Sequence, residues 1–99
     1  MRGEEDISLV FLKSIGKNIA KKRKEKGFSM EKLGLEVGLS RMQINRIEKG
    51  YNITLVTILK LSIALSVKPE ELLKFNMKTR KEDLEMLVNN NKANKMKLK

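Results

Sequence analysis

The chain has 99 residues, with 22 Lys and Arg against 12 Asp and Glu and a formal charge of +10, a balance that concentrates polyanions near the surface and supplies sequence-independent affinity for phosphate. It contains no Cys and no His, which removes disulfides, thiolate or imidazole metal sites and histidine-activated nucleophiles, so no cofactor, no metal and no enzymatic role is expected. The apolar run at residues 7–12 is far shorter than the roughly 20 residues of a spanning helix, and acidic residues precede it where a signal peptide carries basic ones; one cytoplasmic domain with tails is the expected organisation.

In chain order, the first helical pattern places Leu12, Ile15 and Ile19 on one face and Lys13, Lys17, Lys21, Lys22 and Lys24 mostly elsewhere, and Gly27 stops it. Asp6 or Ser8 can cap an extension of this helix towards the N-terminus. The adjacent acids Glu4, Glu5 and Asp6 suit such a first turn better than acid–base chemistry. Ser29 caps a second helix that runs to about Val37, with Phe28 and Leu33 as its hydrophobic staple, and Gly38 turns the chain. Ser40 opens a third helix with two signals, a capping box with Gln43 and a staple between Leu39 and Ile44; Gly50 marks its end. Thr54 caps the fourth, whose Leu55, Ile58, Leu59, Leu61, Ile63 and Leu65 make it the most apolar element and the expected buried spine.

Pro69 fits the first position of a fifth helix, with Glu70 and Glu71 in its first turn and Leu72, Leu73 and Phe75 behind them. Thr79 and Glu82 have capping-box spacing ahead of Leu84, Leu87 and Val88, while residues 89–99 offer only Ala93, Met96 and Leu98 as apolar positions, too few to order the segment in isolation. The expected organisation is an extension at 1–11, a helical domain at 12–76 and a basic extension at 77–99 with a candidate helix at 80–89 and a disordered end. The fold class is all-α: a five-helix bundle with helices two and three as a helix-turn-helix, plus that candidate sixth helix.

Two short helices crossing steeply need apolar residues at the crossing, a small residue where the backbones meet and a turn tolerant of positive φ. Leu33, Val37, Leu39, Ile44 and Ile47 supply the first, Gly34 the second and Gly38 the third. Residues 14–75 resemble the Cro and repressor type of helix-turn-helix proteins of bacteria and their phages. The motif reads Ile15-Gly16 and Ile19, then Arg23, Gly27, Ser29, Leu33, Gly38, Ser40, Ile44, Ile47-Glu48 and Gly50, and ends with Leu65, Val67 and Leu72-Leu73. The resemblance implies a five-helix domain whose third helix enters the DNA major groove, and a structural ion pair between Arg23 and Glu48. Two positions depart from the family pattern: the first residue of helix two, commonly a phosphate-contacting Gln, is Met30, and the usual Ala at the crossing is Gly34.

With Ile44 and Ile47 turned to the core, the helical period directs Arg41, Met42, Asn45 and Arg46 outward as the candidate base-reading face. Arg matches the two major-groove acceptors of guanine, Asn matches adenine, and Met can pack on a thymine methyl; the alternative is that some of the four are solvated or touch phosphate only. Candidates for phosphate are Ser40, Gln43, Lys49, Tyr51 and Asn52, at a helix N-terminus and in the following loop.

The expected partner is double-stranded DNA, bound by a homodimer on a palindrome with half-sites about 34 Å apart. Its interface is sought at Leu73 and Phe75 or at Leu84, Leu87 and Val88, unless the last three fold back on the domain. Phage-like repressors, controllers of restriction-modification operons and antitoxins share the resemblance, and an antitoxin would also take a toxin as protein partner. Membrane association by the basic first helix is a competing reading, but the core explains that helix's apolar face more simply. A-form RNA is disfavoured because its narrow major groove does not admit a reading helix.

Overall fold

The computed structural model describes residues 6–98, with side chains as far as residue 89. Among them six helices and no strand are present: α1 (Ile7–Glu25), α2 (Met30–Val37), α3 (Arg41–Glu48), α4 (Leu55–Leu65), α5 (Pro69–Leu72) and α6 (Lys81–Leu98). Glu4 and Glu5, read above as helix-start acids, lie outside the described residues.

Asp6 is the N-cap of α1 and accepts from the Leu9 amide at 3.0 Å and from the Ser8 hydroxyl. Those two hydrogen bonds favour the charged carboxylate and hold its pKa below the ordinary value. The helix thus begins well before Leu12. Its added turns are integrated with the body, since Ile7 is buried and Phe11 meets Phe75 edge to face at 5.1 Å. Ser29, Ser40 and Thr54 cap α2, α3 and α4, each accepting the amide three residues on. Capping with Ser or Thr satisfies amides that a helix start leaves unpaired, by about 1 kcal/mol each.

One cluster forms the core: Ile15 and Ile19 of α1, Leu33 of α2, Ile44 and Ile47 of α3, Ile58, Leu61 and Leu65 of α4, and Leu72 of α5. The spine expected of α4 is only half buried. Ile58, Leu61, Ser62 and Leu65 face inward, whereas Leu55, Val56, Leu59 and Ile63 face solvent. Among the described residues the bundle has neighbours for one side of α4 only, so a helix apolar all round keeps an apolar outer face.

Two further expectations change. The start of α6 is tied one residue later than the spacing of Thr79 and Glu82 suggests, and by one side-chain bond instead of a reciprocal box: the buried carboxylate of Asp83, not Glu82, accepts the Arg80 amide at 2.9 Å. The helix also continues past residue 89 to Leu98, because neither Gly nor Pro interrupts the segment. Phe75 lies beyond the short α5, and this stretch is tied to α1 by Asn18, whose side-chain amide donates to the Leu72 and Lys74 carbonyls at 3.0 and 2.9 Å.

Candidate nucleic-acid interface

The turn between α2 and α3 is set by backbone fit. Gly38 caps α2 at φ 74, and the Leu39 amide returns to the Gly34 carbonyl at 2.8 Å. A Cβ on Gly34 would sit 2.4 Å from the Leu39 carbonyl oxygen, so glycine lets the turn before α3 lie closer on α2 than an Ala would permit. Gly16 does the same between α1 and α3, where a Cβ would lie 2.5 Å from the Glu48 oxygen.

The end of α3 is held from α1 by a bidentate ion pair. Arg23 donates to Glu48 through Nε at 2.7 Å and through Nη2 at 3.0 Å, and its Nη1 reaches the Phe28 carbonyl at 2.8 Å. Both side chains are more than nine-tenths covered, at 8% and 7% exposure. Hydrogen bonding to Glu48 raises the Arg23 pKa above its already high ordinary value, outweighing desolvation. The geometry turns both side chains inward, away from solvent.

With Ile44 and Ile47 buried, α3 presents Arg41, Met42 and Arg46 to solvent and leaves Asn45 half-buried. Arg46 is further oriented by Tyr51, its guanidinium 6.0 Å from the centre of that exposed ring. At the N-terminus of α3, Ser40 Oγ accepts the Gln43 amide at 3.0 Å while Gln43 Oε1 accepts the Ser40 amide at 2.8 Å. Each side chain keeps donor capacity, the hydroxyl proton of one and the amide NH2 of the other. Lys49 caps the other end of α3, and Asn52 accepts the Ile53 amide at 2.8 Å. Gln43, Arg46, Tyr51, Asn52, Thr54 and Thr57 share the wall of one shallow groove between α3, the following loop and the start of α4.

Met30 packs against the core rather than projecting outward. A residue absent from the expected set packs just past α3: the stem of Lys13 lies against Gly50, where an added Cβ would be 2.8 Å from its Cγ. Gly16, one helical turn on from Lys13, marks the face of α1 that meets α3 and was the available signal. Among the described residues no helix is long and apolar enough to cross a membrane.

The helix-turn-helix family HTH_3 matches residues 19–72, more than half of the chain. The uncharacterized HTH-type transcriptional regulator y4dJ of Sinorhizobium fredii (strain NBRC 101917 / NGR234) is 36% identical over 61 residues, which span 61% of this chain and 79% of that protein. The crystal structure of the restriction-modification controller protein C.AhdI from Aeromonas hydrophila superposes with a TM-score of 0.64 at 37% identity, covering 67% of this chain and 97% of that one. A chain of the SinR protein/SinI protein complex superposes with a TM-score of 0.59 at 30% identity, covering 78% and 77%. The match extends from α1 to α5 and includes both helices of the motif just described; this chain belongs to the HTH_3 family of helix-turn-helix transcriptional regulators, DNA-binding proteins of the Cro and repressor type.

Proposed function

We propose that the chain is a cytoplasmic, sequence-specific regulator that binds a palindromic operator as a homodimer and places α3 in the major groove. The observation that carries this reading is the division of α3 into a buried Ile44 and Ile47 face and an exposed Arg41, Met42 and Arg46 face at a capped helix start. Arg41 and Arg46 read guanine, Met42 packs on a thymine methyl, and Asn45 contributes to adenine through the part of its side chain left open. Ser40, Gln43, Lys49, Tyr51 and Asn52 hold phosphates on either side, and the pair of Arg23 and Glu48 sets the angle of α3 without touching DNA.

Selection of bound sites from random duplex DNA, followed by affinity measured against salt, tests this reading. A palindrome is expected, with Arg41→Ala relaxing preference at one position per half-site and Lys49→Ala lowering the salt slope by about one for all sequences. Equal affinity for every sequence at every salt concentration would defeat it.

A second reading is narrower. The restriction-modification controller is matched over nearly its whole length, which supports control of such an operon by a chain of this size. Operator-like sites upstream of an adjoining restriction gene would support it; a toxin gene in that place would favour the antitoxin.

A further inference from the structure

Methionine carries all the sulfur in this chain, which has six Met and no Cys. An oxidant therefore meets thioethers and no thiols. Among the methionines with described side chains, Met30 packs against the core, whereas Met77, Met86 and Met42 are 37%, 50% and 60% exposed. Met77 precedes α6 and Met86 lies within it. Met42 is the second residue of α3, beside Arg41 and one helical turn from Arg46 on the same outward face. The most open of these thioethers thus stands on the surface assigned above to base reading.

We propose that Met42 is an oxidation site through which hydrogen peroxide changes the base preference of α3; the inference rests on the function proposed above. Peroxide gives one oxygen to the thioether, whose sulfur loses two electrons and becomes the sulfoxide. The O–O bond breaks as the S–O bond forms, and the second oxygen leaves as water with both peroxide hydrogens. No group of the protein gives or takes a proton. A thioether needs no deprotonation to react, so exposure decides which methionine is oxidised first.

The product is polar where the reactant was apolar. Against a thymine methyl the thioether meets hydrocarbon, but a sulfoxide oxygen pressed there is an acceptor stripped of water and given no donor. The same oxygen suits the exocyclic amine of adenine or cytosine, so preference moves instead of vanishing. The fold does not register the change. Met42 is no part of the core cluster, and the start of α3 is held by the reciprocal bonds of Ser40 and Gln43. Sulfoxide reductases, one for each epimer, return the thioether while a dithiol becomes a disulfide and water is released, so the change is reversible.

The test treats the full chain with hydrogen peroxide, maps sulfoxides by peptide mass spectrometry and measures binding to the palindrome selected by the untreated chain. Met42 is expected to oxidise before Met30. Affinity for the palindrome should then fall by about 10-fold or more, and sites with adenine or cytosine in place of the contacted thymine should gain relative to it. Affinity for random duplex, carried by phosphate contacts, should hold, as should the melting temperature. The two reductases with a dithiol should restore the original preference. A Met77→Leu, Met86→Leu double variant should respond to peroxide as the wild type does. Met42→Leu, compared with itself before and after treatment, should not respond. Full oxidation of Met42 with unchanged preference overturns the proposal, as does a peroxide response retained in Met42→Leu or a loss of affinity matched by a fall in melting temperature. An untreated chain with no sequence preference defeats the operator reading and the switch with it; a selected palindrome whose binding peroxide leaves unchanged defeats the switch alone.

Discussion

Helices α3 and α4 are neighbours in the chain and bury similar aliphatic faces, Ile44 and Ile47 in one and Ile58, Leu61 and Leu65 in the other. Their outer faces differ completely. That of α3 carries Arg41, Met42 and Arg46, while that of α4 carries Leu55, Val56, Leu59 and Ile63. Because the inner faces are chemically alike, they explain the fold but say little about partners. The outer faces carry the chemical difference: guanidinium groups and a thioether in one case, hydrocarbon alone in the other.

If α3 is a reading helix held from behind, damage to its supports should lower stability and DNA binding together. The largest effect is expected from Glu48→Ala, which strands the buried Arg23 guanidinium and should cost about 3–5 kcal/mol in thermal or urea unfolding. Retained stability in that variant would show that α3 is positioned otherwise. Gly16→Ala forces a methyl against the last carbonyls of α3 and should cost about 1–3 kcal/mol, with a parallel loss of operator affinity.

Changes on the outer face should separate the two readouts. Arg46→Ala is expected to weaken operator binding by about 1–3 kcal/mol while the melting temperature hardly moves; a fall in stability equal to that in affinity would mean that its stacking on Tyr51 is structural. The smallest effect belongs to the end of α4, where Ser66 occupies the left-handed region at φ 58. Ser66→Gly should stabilise the fold by on the order of 1 kcal/mol by removing the Cβ clash, less the exposed hydrogen bond from Lys26 to the serine hydroxyl. Calorimetry reads the sign, and DNA affinity should stay unchanged.

Local signals were the most legible part of the sequence. Ser29, Ser40 and Thr54 cap the helices for which their spacing suits them, because capping depends on residues within one turn of each other. Gly38 was legible for the same reason. The extension of α1 to Asp6 was open, since Asp6 and Ser8 have equal capping chemistry; burial of Ile7 and the contact of Phe11 with Phe75 favour the earlier start. On α6 the reading was one residue out. Glu82 and Asp83 are both acidic, and Asp83 is the one whose side chain is buried against the body.

The sequence alone established an all-helical domain, a helix-turn-helix near its centre and a polar outer face on α3, because period, caps and turn residues act over a few positions. Tertiary structure decided which side of α4 is covered, how closely Gly16 and Gly34 let backbones approach, and that Arg23 clasps Glu48 in two hydrogen bonds. Hydrophobic periodicity reports how much apolar surface a helix offers, not how many neighbours are present to cover it. For α4 the supply exceeds the neighbours that the described residues provide.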